Sequence, residues 1–184
     1  MNAVLAFVND SDVRISGRVR GWMPPRWIRW WMLSATKVGD GWLWFCAAFL
    51  LLDGAGRWRR ILAAAALAAG LGNLTLVILK RTVRRSRPCG LLPHPAFSSV
   101  KASGYLRYVP SDRFSFPSGH SMNAFALATL LGMTFPWMAP AAILAASSIA
   151  ASRVVVGLHF VSDVVVGSTL GLLIGAASYL AIVF

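Results

Sequence analysis

The chain has 184 residues, of which 57% are hydrophobic and only 13% charged, against about 25% charged in soluble domains. That balance excludes an ordinary soluble protein and leaves room for one membrane-embedded domain, 1–184. Eighteen Lys and Arg face six Asp and Glu, a net charge of +12; the excess suits anionic lipid or an anionic substrate, and the apolar runs leave too little chain for a nucleic-acid-binding face.

Residues 1–25 read as an interfacial segment, with an amphipathic surface helix over 3–20. Asp10, Asp12, Arg14, Arg18 and Arg20 interrupt any apolar stretch there, so no cleavable signal peptide is expected. Residues 41–52 are apolar but too short to span alone; joined to 27–40 they make a tilted or broken first span, 27–53. Four further stretches approach the ~20 apolar residues that a spanning helix needs. These are 61–79, closed by Arg59-Arg60 and Lys80-Arg81, then 118–137, 138–156 and 161–184. The expected fold class is all-α, a polytopic transmembrane helical bundle of about five spans with an amphipathic N-terminal helix. Trp22, Trp27, Trp30, Trp31 and Trp58 lie near arginines, as rings at headgroup level do, while Trp42 and Trp44 read as lipid-facing. Gly167, Gly171 and Gly175 repeat every four residues and give one flat face for close helix packing. Residues 81–116 form a long polar loop, and loops of that length are usually functional or disordered. Cys46 and Cys89 have neither metal-ligand spacing nor a disulfide framework.

Ionisable groups fall at particular places on this map. Lys80 ends one span, and Arg87-Pro88 follows in the loop. Pro117-Ser118-Gly119-His120 opens the next span. Ser152-Arg153 closes the one after it, and His159 and Asp163 open the last. Up-and-down threading brings all of them to one membrane side. Charge inside a span is expensive and marks a functional site by default. Lys80, Arg87 and Arg153 supply three cations, and arginine grips phosphate oxygens bidentately. Ser118 and Gly119 stand at a helix start, where free N–H groups and the dipole favour an anion. His159 and Asp163 are four apart and share a helical face, so the carboxylate could hold one ring nitrogen while the other attacks. Singly, each residue has an ordinary explanation as a satisfied core histidine or a snorkelling cation. Together on one side they describe an anion site with nucleophile and acid. Asp112, Arg113 and His94 are weaker candidates, at the entrance or on the surface of the loop.

The pattern Lys80-x6-Arg87-Pro88, Pro117-Ser118-Gly119-His120, Ser152-Arg153-x5-His159-x3-Asp163 resembles the three-part signature of the type 2 phosphatidic acid phosphatase superfamily, complete and in order over residues 80–163. The resemblance implies a membrane phosphatase working through a phosphohistidine, without metal or other cofactor. His159 would attack phosphorus, Asp163 would orient and charge-stabilise it, and His120 would protonate the leaving oxygen. Lys80, Arg87, Ser118, Gly119, Ser152 and Arg153 would hold the phosphoryl oxygens. Larger members have six spans, and the span count expected here would leave this chain without the first.

The function expected is therefore hydrolysis of a lipid phosphomonoester or diphosphate by a multi-pass protein of a bacterial cytoplasmic (inner) membrane. Its partners would be the lipid phosphate substrate and membrane lipids, with no nucleic acid. A vanadate-dependent haloperoxidase shares the signature but is soluble, and a non-catalytic anion-binding or transport protein would not need His120, His159 and Asp163 intact. Candidate substrates are phosphatidic acid, phosphatidylglycerol phosphate, a polyprenyl phosphate or diphosphate and a phosphorylated lipid A. The small bundle favours an isoprenoid or glycerolipid over a bulky saccharolipid. If 27–53 crosses once, residue 1 and the 81–116 loop lie on the same membrane side.

Overall fold

A computed structural model describes residues 3–39, 56–88 and 113–183. They form six α-helices: α1 (Ala3–Gly21), α2 (Arg26–Val38), α3 (Gly56–Val83), α4 (Gly119–Thr134), α5 (Ala139–Val155) and α6 (Val161–Ile182), with a 3₁₀ turn at Pro136–Met138. Among the described residues there is no strand, only an isolated antiparallel bridge between Ser86 and Phe114. Residues 40–53 of the expected first span lie outside the described residues, as do Trp42, Trp44, Cys46, Cys89, His94 and Asp112.

Among the described residues, three helices are long and apolar enough to cross a membrane: Arg59–Val83, Pro136–Val155 and Val161–Ile182. Their outward surfaces remain apolar. Leu74 and Ile78 on α3, Leu144 on α5, and Val165, Leu173 and Leu180 on α6 are all more than half exposed. Apolar faces of this extent are stable against lipid and unstable against water. The protein is an integral membrane protein of all-helical build.

Two expected helix limits change. α3 runs through Arg59-Arg60 and on past Lys80-Arg81, because charge marks where a helix leaves the apolar layer and does not stop its hydrogen bonding. The helix ends instead at Arg84, whose positive φ of 49° takes the left-handed conformation and whose N–H reaches the Lys80 carbonyl at 3.2 Å, a common helix stop. α4 ends at Thr134, three residues before the expected limit. Pro136 disfavours a helical residue before it, and Phe135 adopts φ −130°, ψ 85°. With 16 residues α4 is about 24 Å long, short of the ~30 Å hydrocarbon layer.

α4 is instead the centre of the bundle. Ser121, Met122, Ala124, Ala126, Leu127, Ala128 and Leu130 are buried along it. α6 lies on α4 through the glycine face. A Cβ on Gly167 would stand 2.5 Å from the Ser118 carbonyl oxygen, one on Gly175 2.6 Å from that of Ala126, and one on Gly171 would run into that of Met122. The glycines at 167, 171 and 175 are thus packing residues. α2 packs on α5, where Thr36 Oγ1 and Ser152 Oγ are 2.7 Å apart and buried.

Candidate active site

Four helix ends meet at one pole of the bundle. α3 closes with Lys80, α4 opens after Ser118, α5 closes with Ser152 and Arg153, and α6 carries Asp163 in its first turn. The Ser118 N–H donates to the Asp163 carbonyl at 3.0 Å and ties the two opening ends together.

Ser118 is the N-cap of α4. Its Oγ accepts from the Ser121 N–H at 3.4 Å and from the Ser121 hydroxyl at 2.9 Å, and neither bond uses its own hydroxyl proton. A Cβ on Gly119 would stand 3.0 Å from Leu76 Cδ1, so glycine lets α4 begin tight against α3, one turn before Lys80. The first-turn N–H groups and the helix dipole form an anion-binding end.

A tight turn after α5 places the histidine. The Leu158 and His159 N–H groups both donate to the Arg153 carbonyl, at 2.9 and 3.1 Å. Gly157 supplies the positive φ of 81° that reverses the chain, a conformation that costs glycine nothing. Arg153, His159 and Asp163 are then buried together at 1%, 2% and 0% exposure.

The opposite wall is built by segments 84–88 and 113–116. Ser115 donates its N–H to the Arg85 carbonyl at 2.8 Å and its hydroxyl to the Ser86 carbonyl at 3.1 Å. This pairing presents the Ser115 carbonyl to His159 Nδ1 at 2.6 Å. A carbonyl only accepts, so Nδ1 carries the proton. Nε2 therefore holds the lone pair, and it accepts from Arg87 Nη1 at 3.0 Å. Arg87 also donates to the Leu158 carbonyl at 3.2 Å. Burial, with the Arg87 and Arg153 guanidiniums, pushes His159 down to about 4 against the opposing pull of Asp163, because a charged ring is disfavoured there.

Asp163 stands behind the ring, Oδ2 lying 3.7 Å from His159 Nδ1, too far for a hydrogen bond. The direct acceptor of the Nδ1 proton is the Ser115 carbonyl, where spacing alone pointed to Asp163. Asp163 Oδ2 accepts from the Phe160 N–H at 2.9 Å, and Oδ1 accepts from Arg85 Nη1 at 2.9 Å. Ser152 also differs from expectation. Its hydroxyl donates to the Ile149 carbonyl at 2.6 Å and accepts from Thr36, so its one proton is used within α5 and its oxygen makes the α2–α5 contact. Lys80 and His120 are half-buried at the same pole. A Cβ on Gly39 would stand 2.9 Å from His120 Cδ2, so the end of α2 borders the His120 ring. Arg113 is exposed. Among the described residues no group of three His, Cys, Asp or Glu is placed to hold a metal ion.

Sequence reasoning missed Ser115, Arg85, Thr36 and the buried Asp12. Asp12 alone carried a signal, an acid on a segment whose other charges are mostly basic.

A buried, singly protonated histidine beside arginines and a capped helix start, inside a bundle with apolar outer faces, is the arrangement that phosphoryl transfer in a membrane would need. The model of the PAP2 superfamily matches residues 58–184. Decaprenylphosphoryl-5-phosphoribose phosphatase of Mycobacterium tuberculosis is 32% identical over 133 residues, which cover 72% of this chain and 68% of that protein. The crystal structure of a transmembrane PAP2-type phosphatidylglycerolphosphate phosphatase from Bacillus subtilis superposes with a TM-score of 0.69 at 27% identity, covering 97% of this chain and 85% of that one. Aquifex aeolicus LpxE shares the fold, with a TM-score of 0.71 at 23% identity over 90% of this chain and 93% of that one. The chain belongs to the PAP2 superfamily.

Proposed function

We propose that the protein is a lipid phosphatase that removes phosphate from a membrane lipid through a phosphohistidine on His159. Family membership and the lipid-phosphate substrates named for its relatives support the lipid phosphatase activity. The observation that carries the mechanism is the His159 ring itself, with Nδ1–H held by the Ser115 carbonyl and the Nε2 lone pair turned to Arg87.

Nε2 attacks phosphorus, a P–N bond forms, and the P–O bond to the lipid breaks. His120 gives its proton to the departing oxygen, a step worth about 10²–10⁴-fold. Water then attacks phosphorus, returns a proton to His120, and breaks the P–N bond to release inorganic phosphate. Phosphoryl transfer asks mainly for positioning and charge stabilisation. Lys80, Arg87, Arg153 and the α4 start with Ser118 and Gly119 supply these, and Ser152 joins them once its hydroxyl turns from Ile149. Asp163 offsets the positive charge that the ring gains.

The substrate is a phosphomonoester or diphosphate of an isoprenoid or glycerolipid, the classes named for the relatives from M. tuberculosis and B. subtilis. The protein is a single domain of about five spans in a bacterial inner membrane, with 27–53 as the first crossing, the short α4 counted as a crossing enclosed by the other helices, and α1 as an interfacial helix. Phosphate release by purified protein from a panel of phosphatidic acid, phosphatidylglycerol phosphate, polyprenyl phosphates and diphosphates and lipid A tests it. Turnover of an isoprenoid or glycerolipid phosphate is expected. Turnover of none, by a folded preparation, overturns the reading.

A further inference from the structure

We propose that Asp12 and Arg85 form a positioning relay through which the N-terminal helix holds Asp163, so that turnover depends on the seating of α1 against α6. The inference rests on the phosphatase reading and adds a dependence that the superfamily signature does not contain.

Arg85 uses both arms of its guanidinium. Nη1 donates to Asp163 Oδ1 at 2.9 Å and to Ser162 Oγ at 2.7 Å, and Nη2 donates to Asp12 Oδ2 at 2.8 Å and to Asn9 Oδ1 at 3.3 Å. Its flat face lies 4.1 Å from the centre of the Phe160 ring, which fixes the plane of the fork. Asp12 completes the arrangement from α1. Its Oδ1 accepts from the Ser162 N–H at 3.1 Å, and Oδ2 also accepts from the Ser162 hydroxyl. One carboxylate thus caps the start of α6 and anchors the arginine that holds the next residue, Asp163.

The geometry sets what Asp163 can do. Its Oδ2 is fixed by the Phe160 N–H and its Oδ1 by Arg85. With both held, Oδ2 stays on the Nδ1 edge of His159 at 3.7 Å. Without Arg85 the carboxylate can turn about its Cβ–Cγ bond, and a small misplacement near reacting atoms is costly. Burial argues against a mere surface contact. Among residues 7–21 Asp12 is the only buried one, while Phe7, Val8, Val13 and Ile15 on the same helix are exposed. A buried carboxylate is retained only where it is paired, and here its partners lead to the site. Arg85 and Asp12 touch neither the ring nor the phosphate-holding residues, so they are positioning residues.

The test uses full-length protein in detergent with Arg85→Gln, Arg85→Lys, Asp12→Asn and the double variant Asp12→Asn/Arg85→Gln. Arg14→Gln is the control, since among the described residues exposed Arg14 bonds only Ser11 on its own helix. Active sites are counted by vanadate titration, so misfolded protein does not enter kcat. The singles should lose about 10- to 100-fold in kcat with KM and vanadate affinity unchanged, and Arg85→Lys should recover part of the loss. The double should equal the worse single, as expected for residues acting in one chain. If Arg85→Gln does not fold, the isosteric Asp12→Asn and Arg85→Lys carry the same readouts. Unchanged kcat, a loss expressed through KM or vanadate affinity, multiplying effects in the double, or an equal loss in Arg14→Gln would each overturn the relay. An inactive but folded parent overturns the phosphatase reading instead.

Discussion

His159 Nδ1 donates to the Ser115 carbonyl at 2.6 Å, a bond that turns the opposite nitrogen, Nε2, toward Arg87. The ring is thereby fixed in one tautomer and one direction, as the proposed nucleophile must be. His159→Ala should abolish turnover, and His120→Ala should lower it by about 10²–10⁴-fold, the usual worth of a general acid. Acid-labile phosphohistidine should be trapped in the His120 variant and absent from the His159 variant. Phosphohistidine in His159→Ala protein would reverse the roles.

The protonation of His159 is open to direct observation. Burial first, then Arg87 and Arg153, lowers its pKa from 6.5 to about 4. The charged form is the disfavoured one, so the ring stays neutral as pH falls through 6.5 and is protonated only near 4. The unfolded chain binds that proton earlier, so stability also declines as pH falls across this window. ¹⁵N spectra of imidazole-labelled His94→Gln/His120→Gln protein should show a neutral Nδ1–H ring down to pH near 4. Titration with a midpoint near 6.5 would contradict the buried site.

Activity should persist in excess EDTA and be blocked by vanadate, which mimics five-coordinate phosphorus. The basis is that Lys80, Arg87, Arg153 and the α4 start already supply the positive potential a metal would bring. Phosphate release measured after chelation, with and without added Mg²⁺ or Zn²⁺, checks this. Loss on chelation with recovery on metal addition would refute it.

Gly171 tests the packing of α6 on α4. A Cβ there would run into the backbone carbonyl of Met122, and a backbone atom cannot turn away as a side-chain tip can. Gly171→Ala should cost at least the ~1–3 kcal/mol typical of overpacking. Thermal unfolding in detergent should show a lower midpoint, with loss of activity following the fold. An unchanged midpoint would mean that the helices do not meet this closely.

The residues visible in sequence were those whose type is costly in a membrane. Lys80, Arg153, His120 and Asp163 could be singled out because an ionisable group beside apolar runs needs a reason. Ser115 could not, since it acts through a backbone carbonyl that any residue would supply. Arg85 hid among Arg81, Arg84 and Arg87, where nothing separates a site residue from a solvating one. Asp12 joins the site only through contacts 73 and 150 residues away in sequence. Helix limits failed for a similar reason. Arg59-Arg60 and Lys80-Arg81 marked the edge of the apolar layer, while the end of α3 was set by the left-handed backbone at Arg84.

The Asp12 contacts also bear on topology. Asp12 reaches Arg85 and the start of α6, so α1 sits at the pole of the bundle where the site lies. Residue 1 and the loop after α3 should therefore share a membrane side, as expected if 27–53 crosses once. The positive-inside rule gives no clean orientation, because Lys80, Arg87 and Arg153 belong to the proposed phosphate site and Arg85 is paired with Asp163. The relative arrangement is nevertheless testable. Leu5→Cys and Gly104→Cys, each in a variant lacking Cys46 and Cys89, should react alike with an impermeant maleimide on intact cells, both labelled or both protected. Opposite accessibility would separate α1 from the site side, and would remove both the single early crossing and the seating of Asp12 against Arg85.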